Sequence, residues 1–224
     1  MREYLLVCVV AMAMTYLATP LVRALAVIVG AITPIRDRDV HTTPIPRLGG
    51  VAIFAGFAAA TLVARQLPYL KGVYLSGQMT GVLIGGALIC LVGAIDDVRG
   101  LDWLTKLAGQ SLAAGIMAYK GVLMLSVPFF GTSTVLPQPV LVLVTIMIVL
   151  VTVNAVNWID GLDGLAAGIV AIASLAFFIY SYAISFHYTP ANVFSTASFV
   201  MAATLGCCLG FLPHNFNPAR LFMG

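Results

Sequence analysis

Seven stretches of almost unbroken apolar residues constrain this chain more than anything else in it. They occupy positions 4–32, 48–64, 79–95, 107–127, 140–156, 165–186 and 193–212. A helix needs about 20 mostly apolar residues to cross a bilayer. Charged residues make up only 8% of the chain and the mean hydropathy is +1.06, so too few polar side chains remain to clothe a soluble surface. The runs are continuous rather than alternating, which suits helices and excludes a membrane barrel. The expected fold is therefore all-α, a polytopic integral membrane helical bundle of about seven transmembrane helices. No linker, repeat or low-complexity stretch divides it, so positions 1–224 read as a single transmembrane domain.

The first run could belong to a signal peptide, because Met1, Arg2 and Glu3 precede it and Ala11 and Ala13 are small. Its apolar stretch is too long and no clean cleavage site follows, so it reads as an anchor that spans before Arg23. The four cysteines, Cys8, Cys90, Cys207 and Cys208, lie inside apolar runs without metal or disulfide spacing and read as small buried hydrophobes. The GxxxG pairs Gly81/Gly85 and Gly206/Gly210 suit helix packing. There is no Walker A motif and no dinucleotide fingerprint, and no nucleic-acid partner is expected.

Parity along the spans places the polar residues. The clusters DRDVHTTPIPRLGG (37–50), DDVRGLDWLTK (96–106), NAVNWIDGLDGLAAG (154–168) and PHNFNPAR (213–220) follow runs one, three, five and seven. They must emerge on one face. That face carries seven of the eight acids, leaving only Glu3 opposite. Its loops also hold Arg36, Arg38, Arg47, Arg99, Lys106 and Arg220, against Arg2, Arg65, Lys71 and Lys120 on the other side, a bias that points the clusters to the cytoplasm.

Polar residues at these depths are costly unless a cavity or ligand uses them. Asp96 and Asp97 close the third run, and neighbours on a helix point about 100° apart, so one can face a shared site while the other holds a second group. A carboxylate pair beside basic residues suits a metal ion that is itself held against phosphates; the alternative is a hydrated helix end. Asn154, Asn157 and Asp160 fall at steps of three, one face of a helix. Gly161 and Gly164 would let a ligand approach backbone amides beside Asp160 and Asp163. An interhelical hydrogen-bond cluster is the competing reading. In the first loop, prolines stiffen the backbone around His41 and Arg47, whose planar fork suits phosphate oxygens. His41 could equally make a local hydrogen bond, and neither His187 nor His214 forms a metal pair.

With these motifs in view, the chain resembles the polyprenyl-phosphate N-acetylhexosamine-1-phosphate transferases. HTTPIPRLGG, AIDDVRGLDWLTKLAGQ, NAVNWIDGLDGLAAG and LPHNFNPARLFMG occur in that family's order and together span the chain. The resemblance implies a multi-pass enzyme of the inner (plasma) membrane with its active site on the cytoplasmic face. It would move a sugar-1-phosphate from a UDP-sugar to a polyprenyl phosphate and release UMP, with Mg2+ or Mn2+, and a homodimer is compatible with it. The PRLGG form looks like the N-acetylglucosamine-1-phosphate branch, which starts O-antigen, teichoic acid or arabinogalactan linkers. By similarity Asp96, Asp97 and Lys106 are the catalytic set, with Asp97 a metal ligand. Arg47, His41, Asn154, Asn157, Asp160, Gly161, Asp163, Asn215 and Phe222 would bind substrate, Phe222 by stacking on uracil; Arg99 is a further basic residue near the site. Family members continue the last motif with a metal-binding acid after FMG, so the resemblance presents these 224 residues as an N-terminal fragment that would be inactive alone. Two other readings remain: a phospho-N-acetylmuramoyl-pentapeptide transferase, and an ion-coupled transporter, whose polar residues would sit near the bilayer midplane.

Overall fold

The computed structural model describes residues 1–32, 44–74, 77–124, 127–129, 132–134, 137–188 and 195–224. Each apolar run becomes a helix: α1 (Arg2–Val29), α2 (Gly49–Ala64), α3 (Gln78–Arg99), α4 (Trp103–Tyr119), α5 (Gln138–Ile159), α6 (Leu165–Tyr188) and α7 (Thr196–Asn215). A short 3-10 turn (Leu70–Tyr74) follows α2, and a small antiparallel hairpin, β1 (Val127–Phe129) with β2 (Thr132–Thr134), joins α4 to α5. Five helices, α1, α3, α5, α6 and α7, are long and apolar enough to cross a membrane. The apolar α2 has only 16 residues, about 24 Å of rise and short of a full bilayer core of about 30 Å. The protein is thus a polytopic membrane helical bundle.

Three boundaries differ from expectation for identifiable reasons. α1 runs on past Arg23 and stops at Gly30, whose φ of 75° ends the helix. α4 stops at Tyr119, before Gly121 at φ 89°, so Val127 falls in the hairpin instead of a span. α3 continues to Arg99, which places Asp96 and Asp97 within its last turn.

α1 packs against α2 and α7, α7 also packs against α6 and α2, and α4 lies between α3 and α5. These two groups meet along α2–α3 and, more thinly, α5–α6. The close seam of α1 and α7 depends on glycine: a Cβ at Gly206 would run into the Cys8 carbonyl and one at Gly210 into the Met12 carbonyl. Absent side chains let the backbones approach, which substitutes for the missing hydrophobic drive between helices in lipid.

Two buried clusters mark the ends of the bundle. One gathers Tyr4, Val7, Leu70, Met79 and Phe199, and beside it the Glu3 carboxylate accepts from the Tyr69 and Leu70 N–H groups. The other gathers Ala26, Ala31, Leu48, Phe211 and Leu221 under the polar motifs. Glu3 and the remaining described acids therefore lie at opposite ends, as parity requires.

Gly206→Leu should force α1 from α7 and lower the melting temperature in detergent sharply, since overpacking costs about 1–3 kcal/mol or more. Gly115→Ala on α4, where a Cβ meets nothing within 4 Å, should stay within about 1 kcal/mol of the parent. Equal melting of the two variants would show that the α1–α7 seam does not depend on glycine.

Candidate active site

The polar motifs are assembled by a short backbone segment, 221–224, laid across the end of the bundle. The Phe222 N–H donates to the Pro46 carbonyl at 3.0 Å, while the Gly49 and Gly50 N–H groups donate to the Phe222 and Met223 carbonyls at 2.9 and 2.8 Å. The first N–H groups of a helix have no partner within it; here the segment supplies them. Gly49 has to lack a side chain, because a Cβ would stand 2.5 Å from the Phe211 ring and 2.6 Å from the Phe222 carbonyl. Asn215, fully buried, accepts from the Gly164 N–H at 3.2 Å and donates to the Leu221 carbonyl at 3.0 Å. Asp163 accepts from the Asn217 amide and the Ala219 N–H, both at 3.0 Å. The segment ends its run between α5 and α3: the Gly224 N–H donates to Asp160 Oδ2 at 3.0 Å, and Asn157 Nδ2 donates to the Gly224 carbonyl at 3.2 Å.

Under this segment lies a cavity of about 370 Å³. Asp96, Asp97, Lys106, Asn157 and Asp160 line its polar end, and Ile89, Cys90, Val153, Val170 and Cys208 its inner wall. Lys106 Nζ donates to Asp96 Oδ2 at 2.7 Å and to Asn157 Oδ1 at 3.4 Å, so one ammonium bridges α3, α4 and α5. The Leu101 N–H donates to Asp96 Oδ1 at 2.9 Å. Asp97, the next residue, turns away from that pair toward Gly224, within the electrostatic reach of Arg47, Asp96 and Lys106.

Asp160 caps α5 and is 8% exposed. Its Oδ1 is buried without a hydrogen-bond partner among the described residues. Burial pushes its carboxyl up from 3.8 to about 7; the Gly224 and Met223 N–H groups and the Arg47 charge oppose this, and Asp97 adds to it. Asp102, in the same motif as Asp96, does something different. It accepts from the Thr105 N–H and hydroxyl as the N-cap of α4, and these bonds hold its exposed carboxyl below the usual range.

The structure thus brings Asp96, Asp97, Lys106, Asn157 and Asp160 together, with Arg47 close by. Other expected residues stand elsewhere. Asn154 is not in the cavity wall; its Nδ2 donates to Gln110 Oε1 and to the Leu150 carbonyl, both at 2.8 Å, the interhelical tie that was the competing reading. Gly161 is exposed with open space around it, and Gly164, at φ 71°, is the glycine the turn requires. Asn215 has no exposed surface and Asp163 holds the 217–219 turn, so both position backbone in this conformation. Phe222 is only 7% exposed, so its ring offers no open face for a base. Arg99 is exposed outside the cavity, and His41 lies outside the described residues. Gln110 was missed. It is 3% exposed, lines the cavity and stands four residues after Lys106; an amide at that spacing within an apolar stretch was the available signal.

Among the described residues no three His, Cys, Asp or Glu side chains gather as a ready metal cage. Three carboxylates, Asp96, Asp97 and Asp160, do line the cavity; Asp96 is held by Lys106 and the Leu101 N–H, whereas Asp160 Oδ1 has no partner among the described residues. Magnesium is held by one or two carboxylates with water and substrate phosphates, so this oxygen donor set fits it.

The fold and site are those of a helical membrane bundle in which three carboxylates and a lysine line the polar end of a mostly apolar cavity. Residues 79–224 match the family model described as Glycosyl transferase family 4, and the chain belongs to that family. Over its whole length it is 43% identical to the decaprenyl-phosphate N-acetylglucosaminephosphotransferase of Mycolicibacterium smegmatis, covering 56% of that protein. It is 33% identical, over 96% of its length, to the probable undecaprenyl-phosphate N-acetylglucosaminyl 1-phosphate transferase of Bacillus subtilis, again 56% of that protein. Identity is 36% over 84% of the chain with the phospho-N-acetylmuramoyl-pentapeptide-transferase of Desulforudis audaxviator, covering 59% of it. The chain therefore spans a little over half the length of these relatives.

The raised Asp160 carboxyl sets a pH dependence. Its folded value, about 7, lies above the ordinary 3.8, so the folded state keeps a proton that the unfolded chain has lost. Without divalent ions, stability should fall as pH rises from about 4 to 7 and then level off. Asp160→Asn should flatten that slope in detergent melts; an unchanged slope would assign the pH dependence to another group.

Proposed function

We propose that the protein transfers N-acetylglucosamine-1-phosphate from UDP-N-acetylglucosamine to a polyprenyl phosphate, releasing UMP, as a first membrane step in cell-envelope polysaccharide synthesis. The observation that carries this reading is the Lys106 bridge between Asp96 and Asn157 at the mouth of a cavity whose inner wall is apolar. The relatives' names supply the sugar and the lipid. A phosphate head at the polar end with its chain along the wall satisfies both halves of the cavity.

In the reaction, an oxygen of the lipid phosphate forms a bond to the sugar-bearing phosphorus of the donor, and the bond from that phosphorus to UMP breaks. Both partners are anions, so their approach needs positive charge. Lys106 supplies it from the cavity wall, and Arg47 adds its field at Asp97 and Asp160. By the family resemblance Asp96 accepts the proton of the lipid phosphate; Lys106 and the Leu101 N–H hold its two oxygens in place. Asp97 and Asp160 would hold Mg2+, which when bound would neutralise phosphate charge. The polar groups lie at helix ends at one end of the bundle, away from the midplane, which supports an interfacial enzyme over a transporter. The charge bias of the loops supports a cytoplasmic site in the plasma membrane.

With a full-length version of the protein in nanodiscs, Asp96→Asn and Lys106→Met should each lower UMP release by about 100-fold or more. Near-normal release in either variant would remove that residue from the chemistry. Offering UDP-N-acetylglucosamine beside UDP-N-acetylmuramoyl-pentapeptide tests the donor; turnover of the second alone would overturn the assigned sugar.

A further inference from the structure

Gln110 occupies a position that the proposed reaction leaves unused. Asn154 Nδ2 donates to the Leu150 carbonyl and to Gln110. A carbonyl can only accept, so the Asn154 atom is the nitrogen and its partner on Gln110 is the oxygen. The Gln110 amide nitrogen is then left to the cavity that the residue lines. It has no hydrogen-bond partner among the described residues, although Gln110 is only 3% exposed.

Depth is fixed by two rungs between α4 and α5. Lys106 reaches Asn157 on the outer rung, and Gln110 reaches Asn154 on the inner one, a single helical turn further in. Asp96 and Asp97 stand at the outer rung, while Ile89, Cys90 and Val153 continue the wall inward. Gln110 is therefore the neutral donor between the charged mouth and the apolar interior.

We propose that Gln110 recognises the phosphate of the lipid acceptor, donating from Nε2 to the phosphate oxygen on the chain side while the isoprenoid runs along the apolar wall. This rests on the reading of function above. A donor there favours a polyprenyl phosphate over a free polyprenol, because a hydrogen bond to an ionised phosphate oxygen is roughly twice as strong as one to a neutral hydroxyl. The nucleotide sugar, headed for the outer rung, does not meet it.

The test measures binding to the protein in nanodiscs of three probes: a short-chain polyprenyl monophosphate, the corresponding polyprenol, and UDP-N-acetylglucosamine. Gln110→Leu removes donor and acceptor. Gln110→Glu keeps an acceptor for Asn154 and replaces the donor with a carboxylate, so it separates recognition from the helix tie. Both variants should weaken the monophosphate roughly tenfold or more, Gln110→Glu the more strongly, and leave the other two probes within about twofold. Unchanged monophosphate affinity in Gln110→Glu would reduce Gln110 to a packing residue and overturn the proposal alone. A parent protein that binds monophosphate no better than polyprenol would overturn it together with the lipid-phosphate reading of the cavity.

Discussion

Everything at the polar end of this bundle depends on the need to pair backbone groups where water is scarce. A peptide N–H or C=O left open near hydrocarbon costs several kcal/mol, and the 221–224 segment meets that demand for several elements at once. Its carbonyls receive the first N–H groups of α2, its Phe222 N–H closes on Pro46, and its Leu221 carbonyl receives the amide of Asn215 from α7. Gly224 then reaches Asp160 and Asn157 on α5. Two glycines and a buried asparagine are the sequence cost of this arrangement: Gly49 admits the segment, Gly164 takes the turn, and Asn215 joins them.

The same pairing explains why three neighbouring carboxylates behave differently. Asp96 is neutralised by Lys106 and the Leu101 N–H. Asp160 receives backbone N–H groups and the field of Arg47, yet burial still outweighs them. Asp97 stands between, with charges around it and, among the described residues, no hydrogen bond to its carboxylate.

Parity along the spans made the convergence of Asp96, Lys106, Asn157 and Asp160 legible, because helices that cross a bilayer have little freedom in which side their ends face. Asp102 shows what spacing alone cannot give: it shares a motif with Asp96 yet caps a helix. Asn154 follows the same three-residue step as Asn157 and Asp160, but its contacts depend on Gln110 across α4, which periodicity within α5 does not encode. Phe222 was opaque for a related reason. Its backbone is fixed by Pro46 and Gly49, and that pairing draws the ring inside. The contacts of Asn154 and Phe222 thus depend on partners outside their own motifs, Gln110 for one and Pro46 and Gly49 for the other.

A last consequence concerns the join between the two helix groups. The boundary between α2, α6, α7 and α3, α4, α5 is closed at one end by Met79, Val82 and Leu83 of α3, which belong to or pack against the Tyr4 cluster, and holds the cavity at the other. The Asn157–Gly224 and Gly224–Asp160 bonds cross it with polar contacts. In a low dielectric such bonds are directional and demand their partners, so the groups that line the cavity also set the spacing of its walls. Binding and architecture therefore share residues here. A ligand that competes for Asp160 or Asn157 therefore acts on bonds that join the two groups as well as on charge.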